Sequence, residues 1–225
     1  MSSFWDTFAF VIFPYLSITT CVLGSIYRYA VDPYRWNARS SEIFEQGSLR
    51  IASNLFHYGI LLALMGHVMG LLIPQTVYDF FWISGELHTK IAIILGAAFG
   101  LPAFIGNAML LWRRVTDGRV KAVTTGRELA ASVLLLIVIG VGTCNVFFGH
   151  YYVLDTIAPW LRGILTFRPD PGLLGNTPFL YKLHILAAFA LFGFAPFSRL
   201  VHIWSAPVTY IRRSYILFRK RCVKS

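Results

Sequence analysis

The sequence predicts an all-α integral membrane protein with five transmembrane helices in a single domain, residues 1–225. Hydrophobic residues make up 56% of the chain and charged residues 13%, about half the charged share of soluble proteins. Five apolar stretches each reach the roughly 20 residues that a helix needs to cross about 30 Å of hydrocarbon. None alternates with period two as a barrel strand does, which favours helices. From first to fifth, the predicted spans are Phe8–Tyr29, Ala52–Ile73, Lys90–Trp112, Glu128–Phe148 and Tyr181–Trp204.

The start of the chain does not match a cleaved signal peptide. Such a peptide carries basic residues before its apolar segment. Here the early charge is Asp6, and the first basic residue is Arg28, beyond most of the apolar run. We therefore expect an uncleaved first helix with the N-terminus outside.

The basic residues give the predicted orientation. Sixteen of the 20 Lys and Arg residues lie between the first and second spans, between the third and fourth, or at the C-terminal end. The positive-inside rule places this side and the C-terminus in the cytoplasm, so we expect a multi-pass protein of the cytoplasmic (inner) membrane. The net charge of +10 suits anionic lipid, and because the basic residues flank apolar spans, no nucleic-acid partner is expected. The other four basic residues are Lys90, Arg162, Arg168 and Lys182.

The cysteines argue against an iron–sulfur cluster bound by this chain itself. There are three, Cys21, Cys144 and Cys222, and no pair has the C-x-x-C spacing. Because a cluster needs four thiolates, we expect any such centre to lie in a partner protein.

Four histidines lie on the second and fifth spans, and histidine at membrane depth is a candidate functional residue. A single one would equally well be explained by a hydrogen bond between helices. Because the two spans run in opposite directions, His57 lies level with His202, and His67 lies level with His184. We hypothesise that each level holds one haem iron between the two helices, with His57 and His202 on the inner haem and His67 and His184 on the outer. Both haems would be non-covalent b-type, since C-x-x-C-H is missing.

Helix geometry permits this arrangement only with some tilt. The ten-residue spacing on the second span rises about 15 Å and the eighteen-residue spacing on the fifth about 27 Å, for a mean iron–iron separation of about 21 Å. Eighteen residues are five whole turns, so His184 and His202 share a face, whereas ten residues fall about 80° short of three turns. A single tetrahedral zinc site is the rival use of four histidines, but it would need all four together.

Small residues beside these histidines have two interpretations. They give room for a porphyrin, or they let helices pack closely, as small residues commonly do in membranes. The residues concerned are Gly59, Gly66, Gly70 and Gly193.

The sequence resembles a known family, the gamma subunit (a di-haem cytochrome b) of membrane-bound respiratory nitrate reductases. The resemblance covers essentially the whole chain and is carried by Ser53–Pro74, Trp112–Gly126 and Lys182–Tyr215, the last containing the string FSRLVHIW. It implies a subunit that oxidises membrane quinol, either menaquinol or ubiquinol, and passes electrons through two haem b groups to a cytoplasmic iron–sulfur (beta) subunit. That subunit would feed a molybdenum (alpha) subunit, which reduces nitrate. The implied haem ligands are again His57, His67, His184 and His202.

The resemblance also implies a quinol site beside the outer haem, where the sequence reads GELHTK, Gly85–Lys90. Some family members carry lysine at the position of His88. We expect His88 to accept a quinol proton, because imidazole titrates near neutrality, with Lys90 and Glu86 as the next candidates. The alternative is that His88 is an exposed loop histidine. His150 is interpreted as an interfacial residue.

The connecting segments carry further expectations. Tyr151–Leu180 contains four prolines, so we expect no long helix there, only a short interfacial one at Val153–Leu165 that lids the outer site. The basic loops and tail would dock the partner subunit or contact lipid headgroups. Arg199, one turn before His202, would pair with a propionate of the inner haem or simply extend toward the membrane surface.

Two other functions remain open. The chain could be a haem-free membrane anchor or transporter whose histidines pack or relay protons. The same cytochrome module could also serve a different cytoplasmic reductase, because this subunit would not itself touch the terminal acceptor. A reduced-minus-oxidised absorption spectrum separates a cytochrome from a haem-free protein.

Overall fold

The computed structural model describes residues 3–32, 47–149 and 151–212, and in these ranges all regular structure is helical. Five helices are long and apolar enough to cross a membrane, which confirms the predicted number and class. Only 11–28% of the most apolar stretch of each is buried inside the protein, so most apolar side chains face outward, as a lipid environment requires. The five spans are Phe4–Val31, Leu49–Leu72, Gly85–Thr116, Gly126–Phe148 and Phe179–Phe197.

Some predicted features lie outside the described residues. These are His150, the first-loop arginines Arg35 and Arg39, and the basic tail from Arg213 onward, which includes Cys222.

The first and second spans each include one π-helical turn. The first consists of Phe4–Thr7, the π-turn Phe8–Ile12 and Phe13–Val31, and Ser3 and Asp6 form a capping box at its start. The second runs as an α-helix over Gly47–His67 and ends in the π-turn Val68–Leu72. The α-helical part of the second span therefore ends at His67 itself.

The third span begins five residues earlier than predicted. Ser84 is its N-cap, with Oγ accepting a hydrogen bond from the backbone N–H of Leu87 at 3.3 Å. His88 consequently lies on the first turn of Gly85–Thr116 and not in a loop. Short helices, Gln75–Phe80 and Gly118–Val123, precede and follow it, and Gly126–Phe148 begins with a capping box formed by Thr125 and Glu128.

The connection before the fifth span contains the expected short helix, Ile157–Leu165, preceded by a 3-10 turn at Val153–Asp155. This helix packs on protein: Trp160 is 1% exposed and its indole N–H donates to the Phe10 carbonyl at 2.9 Å. Arg162 donates to the Leu71 carbonyl at 3.0 Å. The helix therefore joins the ends of the first and second spans.

The prediction of one unbroken helix over Tyr181–Trp204 is wrong. The α-helix Phe179–Phe194 gives way to two 3-10 turns, Ala195–Phe197 and Arg199–Val201, before a new helix begins at His202 and runs to Arg212. Pro196 lacks the N–H that would continue the helix, and Ser198 adopts an extended conformation (φ −122°, ψ −175°). The shared face of His184 and His202 and the rise of about 27 Å both assumed an unbroken helix and do not apply.

Helix packing follows the order second, third, fourth, fifth, first. The second span meets the third through glycines: a Cβ on Gly59 would lie 2.6 Å from the Ala103 backbone nitrogen. Close packing therefore explains Gly59, and Gly193 likewise faces the first span at Ser17. By contrast, a Cβ on Gly66 would meet nothing within 4 Å, and one on Gly70 would meet the His88 ring. The second and fifth spans are therefore not neighbours in this order. Their histidine rings nevertheless approach one another.

Candidate functional site

The four histidines form two pairs. One joins the second span to the fifth, and the other joins the second span to the helix that begins at His202 after the break. The rings of His67 and His184 are stacked, with centroids 5.9 Å apart and planes at 28°. The rings of His57 and His202 lie 6.1 Å apart with planes at 65°. These are the pairs predicted from depth in the membrane. Two imidazoles bound to opposite sides of one metal ion, with metal–nitrogen bonds of about 2 Å, place their centroids about 6 Å apart. Both pairs have that separation.

In all four histidines the ring nitrogen Nδ1 is hydrogen-bonded to a backbone carbonyl. A carbonyl oxygen only accepts, so each Nδ1 must carry the proton, and each Nε2 keeps its lone pair. Metal-binding histidines typically show this arrangement, because the hydrogen bond fixes the tautomer and the ring orientation. The Nδ1–carbonyl distances are 2.8 Å for His57 to Ser53, 2.7 Å for His67 to Ala63, 3.0 Å for His184 to Val138 and 2.6 Å for His202 to Arg199.

The fourth span supports His184, a role that sequence reasoning missed. Its Val138 carbonyl accepts the His184 hydrogen bond, and a Cβ on Gly142, one turn further, would lie 2.8 Å from the His184 ring. Only glycine leaves room for the ring at that position. The small residues of the segment IGVGTC were a visible signal, but nothing local indicated which helix they face.

The break in the fifth span places Arg199 beside a carboxylate. Its guanidinium lies 3.7 Å from one oxygen of Glu128, whose other oxygen lies 3.9 Å from Arg114. The side chains of Arg199 and Glu128 are 23% and 16% exposed. Its role as a partner of a haem propionate stays a prediction.

His88 is buried, so its interpretation as an exposed loop histidine is wrong. It is 7% exposed, and its ring contacts the ring of Tyr78 edge-on at a centroid distance of 4.8 Å. A Cβ on Gly70 would lie 3.6 Å from its Cε1 and Nε2. Its Nδ1 is buried and makes no hydrogen bond to the described residues. Gly70 follows His67 by three residues, which places His88 near the His67–His184 pair.

Lys90 and Glu86 occupy a different face of the same helix. They form a salt bridge of 2.7 Å with side chains 65% and 66% exposed. The structure therefore does not gather Lys90 or Glu86 with His88 and Tyr78.

Within the ranges 3–32, 47–149 and 151–212, no three His, Cys, Asp or Glu residues gather in a way that could hold a metal ion. The histidines instead form two separate two-membered sets, which is unlike a tetrahedral zinc site.

Comparison with known proteins places the chain in a family. Residues 6–221 match the family described as nitrate reductase gamma subunit. The chain is 38% identical to the nitrate reductase gamma chain of Bacillus subtilis (strain 168), covering 93% of this chain and 96% of that one. It is 36% identical to the respiratory nitrate reductase 1 gamma chain of Escherichia coli (strain K12), covering 97% and 99%. It is 37% identical to part of the nitrate reductase-like protein NarX of Mycobacterium tuberculosis (strain ATCC 25618 / H37Rv), covering 92% of this chain and 33% of that protein. The chain therefore belongs to the nitrate reductase gamma subunit family.

Proposed function

We propose that this chain is the quinol-oxidising cytochrome b subunit of a respiratory nitrate reductase. It would pass electrons through two bis-histidine haems to a cytoplasmic iron–sulfur (beta) subunit, which feeds a molybdenum (alpha) subunit, and would not itself reduce nitrate. The observation that carries the proposal is the two histidine pairs, at separations of 5.9 and 6.1 Å, with every Nδ1 bonded to a backbone carbonyl.

Two haem b groups suit these residues better than isolated zinc ions, because each pair supplies two ligands and a structural zinc ion takes four. In this proposal His67 and His184 hold the outer haem iron, and His57 and His202 the inner. Bound haem iron supplies one-electron transfer, alternating between ferric and ferrous states. The Nδ1 hydrogen bonds keep each Nε2 available as a ligand and raise its basicity.

His88 is the proposed proton acceptor for quinol. Oxidation of a quinol to a quinone releases two electrons and two protons, so a base near the first electron acceptor is needed. His88 is buried, and its Nδ1 lacks a hydrogen-bond partner among the described residues. It lies beside Gly70, which is three residues after His67. The alternative acceptors, Lys90 and Glu86, have exposed side chains that pair with each other, one turn apart on the same helix as His88.

The basic residues support the direction of transfer. With 16 of the 20 Lys and Arg residues on one predicted side, that side would be cytoplasmic and the His88 end would be outside. Electrons would reach the His67–His184 pair first and the His57–His202 pair second. Protons released outside and electrons leaving inside separate charge, storing about 2.3 kcal/mol per elementary charge per 100 mV.

A reduced-minus-oxidised spectrum of the purified complex tests the proposal. We expect the bands of two six-coordinate b-type haems per gamma subunit, reduced by quinol and reoxidised by nitrate. A protein without haem would support the membrane anchor or transporter instead. Haems that quinol reduces and nitrate fails to reoxidise in the complete complex would indicate a different reductase partner.

Proton release in sealed vesicles of known sidedness tests the direction. After a nitrate pulse, protons should appear on the face opposite the C-terminus, and collapsing the membrane potential should speed turnover. Release on the C-terminal face would show that the quinol site or the topology is assigned backwards.

A further inference from the structure

The break in the fifth span determines which carbonyl orients His202. On the unbroken second span, His57 and His67 donate to carbonyls four residues earlier in their own helix. His202 begins a new helix and donates to Arg199, three residues earlier and inside the 3-10 turn, at 2.6 Å. The position of His202 therefore depends on the conformation of the segment from Pro196 to Arg199.

That segment lies in two 3-10 turns and lacks the continuous bonding of an α-helix. Backbone carbonyls without a full set of partners are unfavourable in hydrocarbon. Arg28 of the first span supplies donors to two of these carbonyls. Its Nη1 donates to the Pro196 carbonyl at 2.6 Å and to the Ser198 carbonyl at 2.7 Å, both charge-assisted bonds. The Ser198 side chain caps the following 3-10 turn: its Oγ accepts a hydrogen bond from the backbone N–H of Leu200 at 3.2 Å.

The first span is shaped to bring Arg28 to this place. One turn before it lies Gly24, where a Cβ would be 3.0 Å from the Cβ of Pro196. The glycine lets the helix approach the break closely enough for the half-buried guanidinium to span both carbonyls. Glu128 of the fourth span forms an ion pair of 3.7 Å with the guanidinium of Arg199, the residue after Ser198. Side chains of the first and fourth spans thus both contact the segment.

We propose that Arg28 is a positioning residue for the His57–His202 pair. It acts by holding the broken backbone at Pro196–Ser198, so that the Arg199 carbonyl accepts the Nδ1 proton of His202. This inference rests on the proposed function, because it treats His202 as an iron ligand. It concerns one of the two pairs only: His184 lies on the unbroken helix before the break and donates its hydrogen bond to a carbonyl of the fourth span.

Arg28→Gln and Arg28→Lys, made in the complete complex in membranes, test the proposal. Glutamine removes the charge, whereas lysine keeps it but replaces the planar guanidinium with a compact ammonium that fits two carbonyls poorly. Arg119→Gln is the matched control, because Arg119 is an exposed arginine of the same basic side. The readouts are haem stoichiometry and the electron paramagnetic resonance spectrum of the ferric haems, whose g values respond to the relative orientation of the two imidazoles. His202→Ala identifies the signal of this pair.

We expect Arg28→Gln to weaken haem binding at the His57–His202 pair about 10-fold or to shift its g values, with the other signal unchanged. Arg28→Lys should give a smaller shift in the same signal, and Arg119→Gln none. If Arg28→Gln fails to accumulate, the lysine variant decides alone. Unaltered occupancy and g values in the Arg28 variants that accumulate would overturn the positioning role and leave the haem assignment intact. A wild-type complex without haem would instead remove the proposed function and this role with it.

Discussion

The two histidine pairs reach the same ring separation by different structural means. His184 lies on a regular α-helix and is held from outside that helix, by the Val138 carbonyl and the space at Gly142. His202 lies just after a helix break and is held by the turn that precedes it, which Arg28 and Glu128 brace. The ring planes also differ, at 28° in the first pair and 65° in the second.

The difference shows which interactions each end of the protein relies on. At the His67–His184 end the supporting contact is close packing, because a Cβ on Gly142 would lie 2.8 Å from the His184 ring. The His57–His202 end depends on charged groups that satisfy a broken backbone. Changes in packing should therefore affect one pair, and changes in charge the other.

The largest expected effect comes from removing the ligands themselves. His184→Ala should abolish the haem of the His67–His184 pair and leave the other haem in place. His202→Ala should do the reverse. Each substitution removes one of the two protein ligands of one haem iron. Haem stoichiometry and reduced spectra of each purified variant provide the measurement. His67→Ala and His57→Ala should match their respective partners. Full haem content after all four changes would contradict the assignment of the four histidines as iron ligands, and with it the comparison of the two pairs.

Replacing His88 should affect only the function of the His67–His184 end. His88→Ala removes the buried base, so quinol-driven haem reduction should slow about 100-fold, the scale of a lost general base. Both haem spectra should remain intact, since His88 is not among the four proposed iron ligands. Reduction by dithionite, which bypasses quinol, serves as the control and should proceed as in wild type. Unchanged quinol kinetics would move the site toward Lys90 and Glu86.

A single methyl group on the fourth span gives the smallest and most selective expected effect. In Gly142→Ala the new Cβ would lie 2.8 Å from the His184 ring, which must shift. We expect haem binding at that pair to weaken about 10-fold, as when a supporting group of a metal ligand is changed. Titration of haem into depleted membranes measures it. Gly140→Ala is the matched control, since its Cβ would meet only a Phe104 ring edge at 3.1 Å. Equal binding in both variants would contradict the role of close packing at His184.

The sequence by itself determined the helical class, the number of spans and the pairing of the histidines by depth. These follow from local or additive properties: a span needs enough consecutive apolar residues, and depth is counted along a helix from its end. Even the break in the fifth span had a local signal in Pro196, which typically ends a helix at the preceding residue.

Only the tertiary structure decided what holds the histidines and where His88 lies. Gly142 faces the His184 ring, Tyr78 covers His88, and Arg28 reaches a carbonyl at Ser198, 170 residues further along the chain. No periodicity within one segment reports which face of another helix it will meet. A buried polar group needs a hydrogen-bond partner, and a glycine in a helix permits a neighbouring helix to pack closely. The packing order of the helices decides which residues fill these roles.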